Sequence, residues 1–349
     1  MDNLVLQYRD PLLGVILVVF LVFFISFITY SYSLYKEKTA RKEYRKLSLR
    51  FELGKLKETD YVNLYKTYNL PFDSILLLAS TFLHKGDYNK AISVYLSLLE
   101  VVQDRVKKEE LLELLGNTYF KGGFLQRSKD IFLKILKFSP RNKNALKSLM
   151  IVCEKLKDYK KAKEITEALY ELNVDVKVDK IYFETLLILN DSVLSNEKRT
   201  QLLYEIFKEN IIIQRIFATF LIQFNKEFLF NHLDMFDCKK LIDILWYQRK
   251  EDIDFEKIRN NQFLNELYSA KGYINSVNSS SDFDLNILIL INNHNKEIKT
   301  NLNFEFICNS CKHSIPFFES RCPNCHTVLS LEVKHHITKG FELSNNSLQ

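Results

Sequence analysis

The cysteines near the C-terminal end of this chain have the type and spacing of a metal site. Cys308, Cys311, Cys322 and Cys325 form the pattern C-x2-C-x10-C-x2-C, in a chain of 349 residues that has six cysteines. Each C-x2-C pair can wrap a tight turn that presents two thiolates on one side, and Pro323 presets a turn dihedral in the second pair. Two such turns facing each other supply the four sulfurs of a closed, tetrahedral structural zinc site.

These cysteines predict a zinc ribbon over residues 301–335, followed by a tail over residues 336–349. The ten residues between the pairs, KHSIPFFESR, suffice for one short β-hairpin. Metal binding must therefore supply much of the folding free energy of so small a module. Zinc is favoured, although iron also accepts four thiolates. Two alternatives stay open: a redox-active dithiol pair, and cysteines that bind no metal.

Other residues give no sign of catalysis. His313 and His326 lie beside the cluster, but four thiolates saturate the ion, so we expect both at the surface or next to the ligands. Cys153 and Cys238 fall on predicted helices and are most simply small core residues. The sequence contains no phosphate-binding Gly-rich loop, nucleophile elbow or HExxH motif. Because a closed metal site has no position for a substrate, we do not expect an enzyme.

The N-terminal segment predicts a membrane anchor over residues 1–35. Residues 11–35 carry no charge, which suits a transmembrane helix of about 20 apolar residues. A cleaved signal peptide is the main rival, but its apolar region is usually shorter. Residues 36–50 carry seven Lys or Arg, whereas the other side has only Arg9, so the positive-inside rule places the body in the cytoplasm. Thiols stay reduced in the cytosol, which again favours a metal site over disulfides.

The basic segment and the middle of the chain predict a mainly α protein. We assign residues 36–70 to a basic juxtamembrane and linking helix, whose charges either contact anionic lipid headgroups or only set the topology. The chain has only 8 Gly and 5 Pro, which argues against an all-β fold. Its net charge of +6 is mild and gives no reason to expect a nucleic-acid partner.

A repeat of small, aromatic and turn residues runs through residues 71–173 and predicts a tetratricopeptide-like α-solenoid. The small residue of the second copy, Ser128, and that of the third, Ala162, are 34 positions apart, which is the period of the tetratricopeptide repeat. Residues 174–300 keep a helical pattern without the signature, and we expect degenerate helical repeats there. The repeat positions in the three copies are Ile75, Leu78, Ala79, Phe82, Gly86, Ala91, Tyr95 and Leu98; Leu112, Leu115, Gly116, Tyr119, Gly123, Ser128, Phe132, Ile135 and Pro140; and Leu146, Leu149, Met150, Cys153, Lys157, Ala162, Thr166 and Leu169.

Together the anchor, the repeats and the ribbon resemble the lipopolysaccharide assembly protein B (LapB/YciM) family. The resemblance spans the chain in architecture and is most specific at FICNSCKHSIPFFESRCPNC and at EELLELLGNTYFKGGFLQRSKDIFLKIL. It implies a rubredoxin-like metal domain with the four cysteines as ligands. Two features depart from the family: Lys312 stands where many members have Gly, and the repeats fade after about residue 172.

The resemblance also implies a function. Family members sit in the bacterial inner membrane and promote degradation of the lipid A deacetylase LpxC by the membrane protease FtsH. By resemblance we expect a single-pass, cytoplasm-facing adaptor that regulates lipopolysaccharide synthesis and binds protein partners through its repeats and ribbon. Two alternatives remain open: a membrane-anchored repeat scaffold for another envelope assembly, and an enzyme or electron carrier that uses the metal ribbon.

Overall fold

The computed structural model describes residues 11–52, 60, 63, 65, 71–294 and 300–339. It is mainly helical, with adjacent helices stacked in a repeat-like manner and a small three-stranded sheet near the C-terminus, which confirms the predicted fold class. The chain divides into two compact units, residues 1–145 and 146–349. The helices are α1 Pro11–Glu52, α2 Phe72–His84, α3 Tyr88–Val101, α4 Arg105–Lys121, α5 Leu125–Phe138, α6 Lys143–Lys155, α7 Tyr159–Glu171, α8 Lys177–Asn190, α9 Asn196–Glu209, α10 Gln214–Phe224, α11 Lys226–Asn231, α12 Ile242–Trp246, α13 Phe255–Ile258, α14 Gln262–Ala270 and α15 Phe283–His294; the strands are β1 Thr300–Cys308, β2 Ser314–Ile315 and β3 Leu331–Lys339.

Helix α1 is long and apolar. Among the described residues it holds the one stretch long and apolar enough to cross a membrane, Val15–Thr39, with a mean hydropathy of 2.5 and no part of it buried. By length and composition the stretch suits a membrane span or a signal sequence. The helix continues without a break into the basic segment and ends only at Glu52, so much of that segment belongs to the same helix as the apolar residues.

In the first unit, the two helices of each pair are joined by the same kind of turn. Gly86 follows α2 and Gly123 follows α4, with φ angles of 78° and 79°. In each pair the next backbone N–H returns to the last turn of the helix, from Asp87 to Phe82 O at 2.9 Å and from Phe124 to Tyr119 O at 2.8 Å. This is a Schellman-type cap, which favours glycine because the left-handed backbone crowds a Cβ atom. The repeated Gly positions of the sequence are therefore the turns between paired helices.

Small residues let the paired helices approach closely. A Cβ atom on Gly116 would lie only 2.8 Å from the ring of Phe132, so the ring occupies the space that a side chain would need. Ser128 lies on the opposite helix and donates a buried hydrogen bond of 2.8 Å to the carbonyl oxygen of Gly116. The small repeat positions thus mark the contact between α4 and α5.

The third copy of the repeat lies in the second unit and has the same turn without a glycine. Lys157 has a φ angle of 61°, and the N–H of Asp158 donates to Cys153 O at 2.9 Å. The geometry therefore repeats even where the residue type does not. Ala162, the small residue of this copy, is fully buried.

Beyond Phe224 the chain departs from the helical hairpins expected over residues 174–300. Helices α8, α9 and α10 are long, but residues 226–258 form only short α-helices and 3-10 turns. Capping side chains explain the short lengths. Asn225, Asp254 and Asn261 each accept a hydrogen bond from the backbone N–H of the residue three positions later, and each such cap starts a new helix.

The sheet packs on the helices of the second unit. Its strand order is β2-β1-β3 with both pairs antiparallel, and Cys308 lies opposite Leu331 while Thr300 lies opposite Lys339. Leu302, Phe304 and Phe306 alternate inward along β1 and join the helical core. Strand β3 continues to Lys339 and so occupies the first residues of the segment that the sequence assigned to the tail.

Candidate metal centre

The structure brings Cys308, Cys311, Cys322 and Cys325 together, with their four Sγ atoms all within 4.8 Å of one another. The Sγ atoms of Cys308 and Cys325 are 3.6 Å apart, and those of Cys311 and Cys322 are 3.7 Å apart. Four sulfurs that each lie 2.3 Å from a central ion form a tetrahedron with an edge of about 3.8 Å. The spacing therefore fits tetrahedral thiolate coordination of a zinc-sized ion.

The two cysteine pairs sit in equivalent turns. In the first, Cys308 N–H donates to His313 O at 3.0 Å and Cys308 O accepts from Lys312 N–H at 2.8 Å. In the second, Cys322 N–H donates to Thr327 O at 3.0 Å and Cys322 O accepts from His326 N–H at 2.9 Å. The first turn joins β1 to β2, so the predicted hairpin forms across the first cysteine pair and not between the two pairs.

Left-handed residues close both turns. Lys312 and His326, each directly after the second cysteine of its pair, have φ angles of 59° and 61°. Glycine adopts this conformation most readily, so Lys312 and His326 hold it with a Cβ atom in a crowded position. The backbone hydrogen bonds of the turn hold the lysine there in spite of its Cβ atom.

Hydrogen bonds to sulfur favour the thiolate form of Cys308. Although burial raises the pKa of Cys308, hydrogen bonds from Ser330 and from the N–H groups of Cys311 and Ser310 outweigh it and lower that pKa to about 6. At Cys322 burial dominates and raises the pKa to about 11. Binding of a cation would favour the ionised form of all four thiols.

A buried arginine ties the second turn to the helices of its unit. Arg321 precedes Cys322, and its side chain is only 5% exposed. Its Nε donates to Glu154 Oε2 at 2.5 Å, its Nη2 to Asp179 Oδ1 at 2.9 Å and its Nη1 to His326 O at 2.6 Å. One side chain therefore joins α6 and α8 to the backbone of the cysteine turn.

A second cluster of possible ligands has another explanation. Asp282, Asp284 and His335 also lie within 4.8 Å of one another. Asp282, however, caps α15 by accepting the N–H groups of Asp284 and Leu285 at 3.1 Å, and His335 Nε2 lies 3.1 Å from its second carboxylate oxygen. These contacts use the carboxylate as a helix cap with a histidine partner, and a helix N-terminus disfavours a cation.

The remaining predicted residues have simple surroundings. His313 is exposed and His326 half-buried; the carbonyl oxygen of His313 accepts from Cys308 N–H, and the N–H of His326 donates to Cys322 O. Cys153 and Cys238 are buried, as expected for core residues. No disulfide joins any of the six cysteines, all of which lie in described segments. Sequence reasoning missed Ser330, whose Oγ lies 3.2 Å from Cys308 Sγ, because a lone serine carries no signal.

Comparison with protein-family models gives no match for this chain, and comparison with curated proteins gives none either. Its assignment to a function therefore depends on the architecture and on the four-cysteine site.

Proposed function

We propose that this protein is a membrane-anchored adaptor that holds protein partners on the cytoplasmic side of a bacterial inner membrane. The observation that carries the proposal is a combination within one chain: a long apolar N-terminal helix, a repeat-like helical stack and a four-cysteine ribbon packed on helices. Stacked helical repeats present extended surfaces that suit protein recognition. Anchoring raises the effective concentration of the adaptor near partners in the same membrane.

The metal has a structural role in this proposal. Four cysteines complete a tetrahedral coordination sphere, which leaves no open position for a substrate or a reactive water. The metal would fix the two turns, and Arg321 would connect the second turn to α6 and α8. We propose zinc as the ion, although an S4 site also accepts iron.

The resemblance to the LapB family supplies the finer proposal. By that resemblance the partners are the protease FtsH and the deacetylase LpxC, and the adaptor lowers the deacetylase level to restrain lipopolysaccharide synthesis. The two segments that carry the resemblance are the repeat at residues 109–136 and the ribbon at residues 306–325. No nucleic-acid partner and no catalytic activity are part of the proposal.

A deletion strain of the source bacterium tests this function. We expect slower turnover and a higher level of the deacetylase, restored by the intact gene but not by a Cys308→Ser, Cys322→Ser double variant. Cys238→Ala is the matched control, because Cys238 is buried in the helical core away from the cluster. Unchanged deacetylase turnover would remove the finer proposal. If affinity capture then recovered neither the protease nor lipopolysaccharide enzymes, a scaffold for another envelope assembly would replace it.

A further inference from the structure

A cavity in the second unit combines apolar walls with positive charge. Its volume is about 410 Å³, and its walls come from α8, α9, α10 and the loop that carries Phe318. Phe220, Phe224 and Phe318 supply aromatic surface, and two arginines, Arg199 and Arg215, supply the charge. No carboxylate is among the residues that line it. The volume lies in the range of ordinary ligand pockets, close to its lower end.

The two arginines differ in how they are neutralised. Arg215 forms a two-pronged ion pair with Asp243, with Nη1 2.9 Å from Oδ1, and its guanidinium lies 3.9 Å from the centre of the Phe318 ring. Its charge is therefore already balanced and covered. Arg215 acts as a fixed part of the wall and positions Phe318.

Arg199 has no such partner. Its Nη2 donates to the carbonyl oxygen of Asp191 at 2.6 Å and its Nη1 to Asn196 Oδ1 at 3.2 Å, and both acceptors are neutral. Its Nε is buried and has no acceptor. Within the segments that the structure describes, no carboxylate pairs with this guanidinium. A guanidinium without a carboxylate partner thus lines the cavity, where an incoming carboxylate would be held more strongly than in water.

One aromatic side chain of the cavity is also open to solvent. Phe224 is 46% exposed. Exposed aromatic side chains beside a pocket are typical of surfaces that bind a partner. The lining also includes the polar side chains of Thr219, Gln223 and Ser320, and this mixture suits a short peptide better than a lipid with long acyl chains.

We propose that this cavity binds a short acidic–apolar segment of a partner protein, in which a carboxylate side chain lies next to a large apolar one. The carboxylate pairs with Arg199, and the apolar side chain packs against Phe220 and Phe224. This inference rests on the proposed adaptor function and specifies the chemistry of the segment that the adaptor holds.

Peptide binding to the full-length, metal-loaded chain in detergent micelles tests the inference. The probe is fluorescein-labelled Ser-Phe-Glu-Leu-Ser with an amidated C-terminus, and the control peptide has Gln in place of Glu. We expect the Glu peptide to bind at least tenfold more tightly in fluorescence anisotropy. Arg199→Gln should abolish that preference, whereas Lys198→Gln, the same charge change on an exposed neighbour, should preserve it. Equal affinities for the two peptides, or equal effects of the two variants, would overturn the inference.

Two further arms keep the test decisive if Arg199→Gln disturbs folding. Phe224→Ser changes a half-exposed residue and should weaken both peptides, and an unchanged affinity would count against the site. Oleate that binds more tightly than the Glu peptide, and in an Arg199-dependent manner, would show a lipid-acid site and overturn the peptide assignment.

The protein's own tail is a competing occupant, because residues 340–349 contain Phe341, Glu342 and Leu343. A chain that ends at Lys339 should bind the Glu peptide with unchanged affinity. Tighter binding after truncation would assign the cavity to the tail instead of a partner. None of these titrations contains a protease or a client, so their failure leaves the proposed function standing, and unchanged deacetylase turnover would not remove a peptide site.

Discussion

Replacing Arg321 with methionine tests whether the ribbon depends on one buried charged side chain. The substitution replaces the guanidinium with a shorter apolar side chain and removes three hydrogen bonds, to Glu154, Asp179 and His326 O. Glu154 is only 9% exposed, and among the described residues it would keep one hydrogen-bond partner, the hydroxyl of Tyr182 at 3.0 Å. Removing one partner of a buried ion pair costs about 3–5 kcal/mol, because the remaining charge is left without compensation. We expect Arg321→Met to lower the free energy of unfolding of the second unit by that amount.

A second substitution separates charge from packing. In the Arg321→Met background, Glu154→Gln removes the uncompensated carboxylate and should recover part of the lost stability, so the two changes should be strongly non-additive. Lys155→Met is the matched control, because the ion pair between Lys155 and Glu319 is long, at 3.5 Å, and about half exposed. Its loss should cost less than about 1 kcal/mol.

The chain's single tryptophan provides the assay. Trp246 is 4% exposed, and its Nε1 donates to Asn301 Oδ1 at 2.8 Å, so its fluorescence reports on the contact between helices and sheet in the second unit. Urea unfolding of the full-length chain in micelles gives the four free energies of the double-mutant cycle. A loss below about 1 kcal/mol for Arg321→Met, or strictly additive changes, would refute the reasoning.

Three further predictions follow from local geometry. Lys157→Gly should stabilise the turn of the third repeat by about 1 kcal/mol, because it removes a Cβ atom from a left-handed backbone. Gly123→Ala adds a Cβ atom to such a backbone, in open space, and should destabilise its turn by about as much. Thermal unfolding should therefore show a higher midpoint temperature for the first variant and a lower one for the second. Burial raises the pKa of Asp282, but hydrogen bonds from backbone N–H groups and from His335 outweigh it and hold the pKa below its usual 3.8. Its contribution to stability is therefore present at neutral pH and lost as the pH falls through that lowered pKa, so Asp282→Asn should be less stable than the wild type at pH 7 and converge with it in acid unfolding curves. Ser330→Ala should weaken zinc binding roughly 10- to 100-fold in a chelator competition, because it removes a hydrogen bond to Cys308 Sγ.

The features that sequence could predict are those with fixed spacing. The two cysteine pairs and the small repeat residues are local patterns whose geometry follows from the backbone, and the structure brings the four sulfurs together and pairs the repeat helices. The left-handed turn within the third copy of the repeat was foreseeable only from its position, because lysine is not a residue type that predicts a left-handed backbone.

The features that sequence could not predict depend on long-range contacts. Arg321 looks like an ordinary solvated charge beside a cysteine, yet it is buried against acids that lie 142 and 167 residues earlier in the chain. Arg199 likewise looks like a surface residue of an amphipathic helix, and only the packing of α8, α10 and the Phe318 loop places it at a cavity. The short helices after Phe224 follow from capping side chains whose effect an apolar periodicity does not reveal.

We propose that four thiolates hold a metal ion that organises the ribbon. The most direct measurement is metal analysis of the purified full-length chain, combined with X-ray absorption at the metal edge. We expect one ion per chain, zinc in the first instance, with four sulfur neighbours at about 2.3 Å, and loss of the ion in the Cys308→Ser, Cys322→Ser double variant. A chain that carries no metal, or whose cysteines form disulfides, would contradict it.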